Sequence, residues 1–181
     1  APTDVIPLGT SLACACERML GQHLSCLPVV AGERLAGIFT ATDALGFATL
    51  VLEDDERAHR RAPLVSQLMT ARPLAQVEPT TTLANAWQLM QVTGVRHLPV
   101  LRGDDLVGML SDRDVLAGQA ARLVADAMTT RVSTIDADRP AVEAAGRLLR
   151  HRFGALPVLR GRRLRGILTV ADFLYWILSR A

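Results

Sequence analysis

The chain contains no lysine, three cysteines, 4% aromatic residues and no apolar run approaching the ~20 residues needed to cross a bilayer. Each shortage excludes something. Three cysteines cannot all pair within one chain, and Cys14 and Cys16 stand two apart in a stretch that reads as helix, so they point in different directions. No histidine stands at metal-ligand spacing from them, so they read as reduced thiols filling small core positions of a cytoplasmic protein. Twenty arginines oppose 18 acidic residues for a formal charge of +2. The arginines are scattered, with local density only at Arg57–Arg61 and Arg160–Arg165, and a duplex-binding domain usually concentrates them on one face. These residues show no secretory signal-peptide pattern, and none is expected. Nor do they show Gly-x-Ser-x-Gly, His-Glu-x-x-His, a phosphate-cradling P-loop or a Cys/His pair at plausible spacing, so neither a catalytic residue nor a metal ligand is expected.

What the chain does have is aliphatic bulk: half of its 181 residues are hydrophobic, enough to bury a core. It also has an internal repeat. Leu-Pro-Val occurs at 27–29, 98–100 and 156–158, followed by a turn glycine at Gly32, Gly103 and Gly161. Five residues later a second glycine opens a heptapeptide: Gly-Ile-Phe-Thr-Ala-Thr-Asp at 37–43, Gly-Met-Leu-Ser-Asp-Arg-Asp at 108–114 and Gly-Ile-Leu-Thr-Val-Ala-Asp at 166–172. The three copies align without a gap from Leu-Pro-Val to the aspartate.

Upstream of each Leu-Pro-Val, apolar residues recur at helical spacing over 12–22, 83–93 and 141–151, as in Leu83, Ala86, Trp87 and Met90. Short β-rich segments precede them at Val5-Ile6, Ala75–Val77 and Val132–Ile135. A Met-Thr lead-in opens the second and third copies at Met69-Thr70 and Met128-Thr129, and the matching segment of the first is expected just ahead of Ala1. Each unit reads as strand, helix, hairpin, helix. A unit of this size, with so little sheet, must pack on a neighbour. The expected divisions are a first repeat over 1–52, a charged connecting helix over 53–64, a second repeat over 65–121 and a third over 122–181. The connecting helix is inferred from Glu53–Glu56 preceding Arg57–Arg61 by about four residues. Trp87, Trp176 and Tyr175 lie on helices and read as packing residues.

This repeat resembles the cystathionine-β-synthase-type (CBS) repeat, and the resemblance covers nearly the whole chain. It implies an α/β (α+β) fold of tandem β-α-β-β-α units packed as pseudo-symmetric pairs through small sheets. It further implies clefts for AMP, ADP, ATP or S-adenosylmethionine, homodimerisation, and regulation of an attached or partner enzyme, channel or transporter. Which repeats pair is left open by the spacing, since Pro28 and Pro99 are 71 residues apart and Pro99 and Pro157 are 58 apart.

The resemblance also assigns roles. Asp43, Asp114 and Asp172 match the aspartate that accepts hydrogen bonds from a ribose diol, a task suited to a carboxylate. Thr40, Ser111 and Thr169 stand at the strand-to-helix junction, where a hydroxyl can reach a phosphate or ribose beside unpaired backbone N–H groups. Thr10 and Thr81 match a threonine ahead of the first helix, where the third repeat has Arg139. Arg96-His97, replaced by Ser25-Cys26 and Gly154-Ala155 in the other repeats, resembles a phosphate-holding pair, and Arg113 is a further phosphate candidate. A plainer account of Thr/Ser-x-x-Asp is a helix capping box with no ligand. The functional expectation is a non-catalytic adenosine-nucleotide sensor. The alternatives are a ligand-free dimerisation scaffold and, further off, a nucleic-acid-binding CBS protein.

Overall fold

In the computed structural model the described residues are 4–58, 60, 62–71, 74–118 and 122–180. The first repeat runs β1 (Ile6–Pro7), α1 (Leu12–Gly21), β2 (Cys26–Ala31), β3 (Arg34–Thr40) and α2 (Ala41–Arg57). The second adds α3 (Val65–Leu68), β4 (Thr70–Ala71), α4 (Leu83–Thr93), β5 (His97–Arg102), β6 (Asp105–Ser111) and α5 (Asp112–Ala117). The third comprises α6 (Val124–Ala127), β7 (Ile135–Asp136), α7 (Ala141–His151), β8 (Ala155–Arg160), β9 (Arg163–Thr169) and α8 (Val170–Leu178). In each repeat the two long strands pair antiparallel around a two-residue turn whose first residue is Gly32, Gly103 or Gly161 at φ +62 to +63°. That sign of φ is open to glycine at no steric cost, which is why the turn glycine recurs.

The segment expected as a separate connecting helix over 53–64 is different. Glu53–Arg57 form the last turns of α2, which begins at Ala41, and His59 and Arg61 lie outside the described residues. The helix continues because its inner stripe of Ala44, Leu45, Ala48 and Leu52 ends at Asp55, which is 2% exposed. Asp55 accepts from Arg60 Nε at 2.7 Å and faces Arg180 Nη1 at 2.9 Å, tying the end of α2 to the end of α8. The Arg60 hydrogen bond holds its carboxyl below the usual carboxylate range, helped by the Arg180 charge and opposed by burial. Arg180 also lies over the Trp176 ring, 4.9 Å from its centroid.

Two cores result. The first and third repeats share one, formed by α1, α2, α7, α8 and the sheets beneath them, with Met19, Leu45, Leu52, Leu148 and Phe173 buried in it. Alanines at 44, 48, 141, 144 and 145 line the helix contacts and let the backbones approach closely. The second repeat has its own core around Met90, Leu98, Val100, Leu110 and Val124. Of the cysteines only Cys16 is buried, and burial pushes its thiol up. Cys14 and Cys26 are exposed, contrary to expectation. Cys14 stands off the buried stripe of Ala15, Cys16 and Met19, and Cys26 opens β2 on a sheet face left open among the described residues. Tyr175 likewise points to solvent, whereas Trp176 packs.

The second and third repeats pair by exchanging their lead-ins. The second repeat's β4 pairs antiparallel with β9 of the third, Thr70 opposite Ile167. Just ahead of it, Val65 and Ser66 N–H donate to the carbonyls of Arg139 and Ala137. Reciprocally, Thr129 bridges to Met109 of β6, while Val124 and Ala125 N–H donate to the carbonyls of Thr81 and Pro79. The exchange explains two heptapeptide glycines. A Cβ on Gly108 would sit 2.5 Å from Met128 Sδ, and one on Gly166 would sit 2.6 Å from the Thr70 carbonyl oxygen.

Candidate functional site

Each heptapeptide ends where a strand meets a helix, and there the aspartate carboxylate turns back. Oδ2 of Asp43, Asp114 and Asp172 accepts from both the backbone N–H and the hydroxyl of Thr40, Ser111 and Thr169, at 2.6–2.8 Å in every case. All three motifs therefore close the helix start, and each acid keeps Oδ1 for something else.

What surrounds Oδ1 differs between repeats. Asp172 Oδ1 accepts from the hydroxyl of Thr70, delivered by the second repeat's lead-in, at 3.2 Å. Burial pushes the Asp172 carboxyl up, against the hydrogen bonds from Thr169 and Thr70. This pairing joins residues 102 positions apart, and the recurring Met-Thr was the only signal of it in the sequence. Asp114 holds the equivalent position in the second repeat, where Thr129 bridges to Met109 of β6. Asp43 is exposed, because among the described residues no other repeat covers that end of the first sheet.

Arg96, His97 and Arg113 gather at the second repeat's side of the boundary. Arg96 Nε donates to Asp112 Oδ2 at 2.6 Å, and its side chain stays more than half exposed. His97 crosses to the third repeat, where a Cβ on Gly154 would lie 2.5 Å from His97 Nε2. The glycine therefore makes room for the ring. Burial pushes the His97 imidazole down toward its neutral form, with Asp112 and Asp114 pulling it up and Arg96 and Arg113 pushing it down. The ring is thus packed between the two repeats. Arg113 is exposed, its backbone N–H donating to Asp112 Oδ1.

Thr10 and Thr81 are used in turns ahead of the helices. Thr10 Oγ1 donates to the Pro7 carbonyl and Thr81 Oγ1 accepts from Glu78 N–H. The caps themselves are Ser11 and Thr82, one residue on. Thr81 also lines a cavity of about 420 Å³ with Gln76, Glu78, Asn85, Leu89 and Leu101, on the far side of the repeat from Ser111 and Asp114. The space exists because Leu89 stands where the other repeats have Arg18 and Arg147, whose guanidiniums donate to the carbonyls of Val5 and Thr134. In the third repeat Arg139 replaces the threonine and, with Arg147, grips Glu143. Burial alone would raise the Glu143 carboxyl, but the two arginines hold it below the usual range.

With this geometry in view the comparisons are specific. The CBS domain model matches residues 2–49, 65–120 and 124–179. The chain belongs to the CBS domain family. It is 33% identical over 106 residues to an inosine-5'-monophosphate dehydrogenase of Korarchaeum cryptofilum, a match that takes in 58% of this chain and 22% of that protein. Thus the chain spans about a fifth of that relative's length. Protein MJ1225 from Methanocaldococcus jannaschii superposes with a TM-score of 0.79 at 19% identity, covering 97% of this chain and 67% of that one. CBSX2, solved in complex with AMP, superposes with a TM-score of 0.61 at 30% identity, covering 65% of this chain and 97% of that one. No helix among the described residues is long and apolar enough to cross a membrane.

Proposed function

We propose that this chain is a non-catalytic regulatory module that senses an adenosine-type nucleotide in the clefts between its second and third repeats. AMP, ADP, ATP and S-adenosylmethionine are the ligands in view. It passes the signal to an attached or partner protein from the cytoplasm, as a homodimer. The observation that carries this reading is the hydrogen bond from Thr70 to Asp172 across the repeat boundary. It places a hydroxyl and a carboxylate from different repeats side by side, so that a ribose diol replacing the threonine at Oδ1 would bridge both repeats. A ligand gripped by two repeats favours one relative orientation of them, which is how binding becomes a signal. The AMP complex of CBSX2 supports the ligand class.

The test is thermal unfolding with each ligand, on the wild type and on Asp172→Ala and Asp114→Ala. A ligand at 100 times its dissociation constant adds about 2.7 kcal/mol. A shift in midpoint with one adenosine ligand, lost in a variant, supports the sensor and names its cleft. A second reading, a ligand-free scaffold, is favoured by the three closed capping boxes. It predicts no shift with any ligand up to millimolar concentration. Salt-dependent RNA or DNA binding that ignores both aspartates would point to the nucleic-acid alternative.

A further inference from the structure

We propose that the cavity beside α4 in the second repeat is a binding site for a small guanidino compound, such as arginine or its decarboxylated amine agmatine, seated where the sister repeats place an arginine of their own. The argument comes from one position read across the three repeats. On the helix ahead of each Leu-Pro-Val that position is Arg18, Leu89 and Arg147. Both arginines do the same two things. Arg18 donates to the Val5 carbonyl at 3.1 Å and faces Asp4 at 3.7 Å. Arg147 donates to the Thr134 carbonyl at 2.8 Å and pairs with Glu143 at 2.7 Å. In each, a guanidinium is held between a backbone oxygen and a carboxylate.

Leu89 is too short and too apolar to repeat this, and a space of about 420 Å³ is left. Small-molecule sites commonly enclose about 300–1,000 Å³. The acceptors have stayed behind. Gln76, which lines the space, stands at the position of Val5 and Thr134, and Glu78 brings a carboxylate. A carbonyl oxygen has two lone pairs, so one acceptor can serve a guest and a neighbour at once. Asn85, at the place of Glu143, adds an amide oxygen, while Leu89 and Leu101 offer an apolar wall to a methylene stem. None of the described lining residues is basic. The walls are also fixed in advance. Val77 N–H donates to the Pro99 carbonyl and Leu101 N–H to the Val77 carbonyl. Thr81 N–H donates to the Glu78 carbonyl, and Glu78 N–H donates to Thr81 Oγ1, closing the turn that carries the carboxylate. A planar fork of N–H donors with a delocalised charge fits such a set better than an ammonium does.

The test is isothermal titration calorimetry of the full chain with agmatine and with cadaverine, which ends a stem of similar length in an ammonium. The wild type should bind agmatine saturably, and cadaverine at least about tenfold more weakly. Leu89→Arg, which grafts the sister residue into the space, should abolish agmatine binding. Glu78→Gln should weaken it about tenfold by removing the charged acceptor. Glu33→Gln, the same change at an exposed acid of the first repeat, should leave it unaltered. Circular dichroism checks the fold of Leu89→Arg, and Glu78→Gln, at an exposed position, carries the test if that variant unfolds. A wild type that shows no saturable binding at millimolar agmatine overturns the proposal. So does cadaverine binding as tightly as agmatine, a folded Leu89→Arg that binds undiminished, or a loss in Glu33→Gln equal to that in Glu78→Gln.

Discussion

The first and third repeats carry the same hairpin, with Leu35 and Ile38 in one and Leu164 and Ile167 in the other, yet one pair is bathed in solvent and the other is core. The strands have the same register and the same bulge, after Val29 and Val158. The difference comes from the neighbour. The second repeat folds its lead-in and its sheet onto the third, while the first repeat meets the third through helices and leaves its sheet open. An apolar alternation records that a face is built to be covered, not which partner covers it.

The comparison is broken most severely by charge. Ile167→Glu should cost about 3 kcal/mol or more, because it strands a carboxylate in a dry contact. Ile38→Glu should change the stability of the monomer by no more than about 0.5 kcal/mol. Urea unfolding of both reads the contrast, and equal losses would mean that the two faces are equally covered. Next in size is Gly166→Val, whose Cβ collides with the Thr70 carbonyl and should cost about 1–3 kcal/mol by expelling β4. Gly37→Val meets open space within a single chain and should cost the monomer nothing measurable, and the two urea midpoints, read at monomeric dilution, decide it.

Asp172→Ala and Asp43→Ala should each lose about 1 kcal/mol with the cap, while only the former should also lose the nucleotide-induced shift. If Asp43→Ala removes that shift as well, the ligand uses the first repeat. Acidity sharpens the contrast further. In the proposed function the ionised Asp172 accepts from the ribose diol, and its raised carboxyl takes up a proton at higher pH than an ordinary aspartate. Nucleotide affinity, followed by calorimetry, should therefore fall earlier on acidification than an unshifted carboxylate would allow. A further effect of pH is expected at Asp55, whose carboxyl is held down by Arg60. A depressed carboxyl contributes stability above the ordinary carboxylate range and loses it as pH falls through the depressed value. Asp55→Asn should lower stability at neutral pH and leave less to lose in acid, as melting curves across pH will show.

Much of the fold was legible in the residues. Leu-Pro-Val, the turn glycine and the heptapeptide placed the hairpins and the helix starts, because turn geometry and capping act over three or four residues. Helical spacing placed α4 and α7 as they stand, at Leu83–Thr93 and Ala141–His151. The candidate site was legible only in part. Asp172 and Thr169 were visible as a motif, but Thr70 was not visible as their partner, since nothing local links residues 102 positions apart. Arg96 and His97 stood out as a departure between repeats. Their use, one on Asp112 and the other against Gly154, follows from packing.

By itself, then, the sequence determined three repeats, their hairpins and their capped helices, each governed by interactions between near neighbours in the chain. Only the tertiary structure decided that the second and third repeats exchange lead-ins, that the first and third share a helical core, and that one sheet remains open. The three repeats offer nearly equivalent surfaces, so their pairing rests on differences spread over many weak contacts. Among these are a glycine against a histidine and an acidic tip against a basic one, and no single motif records them.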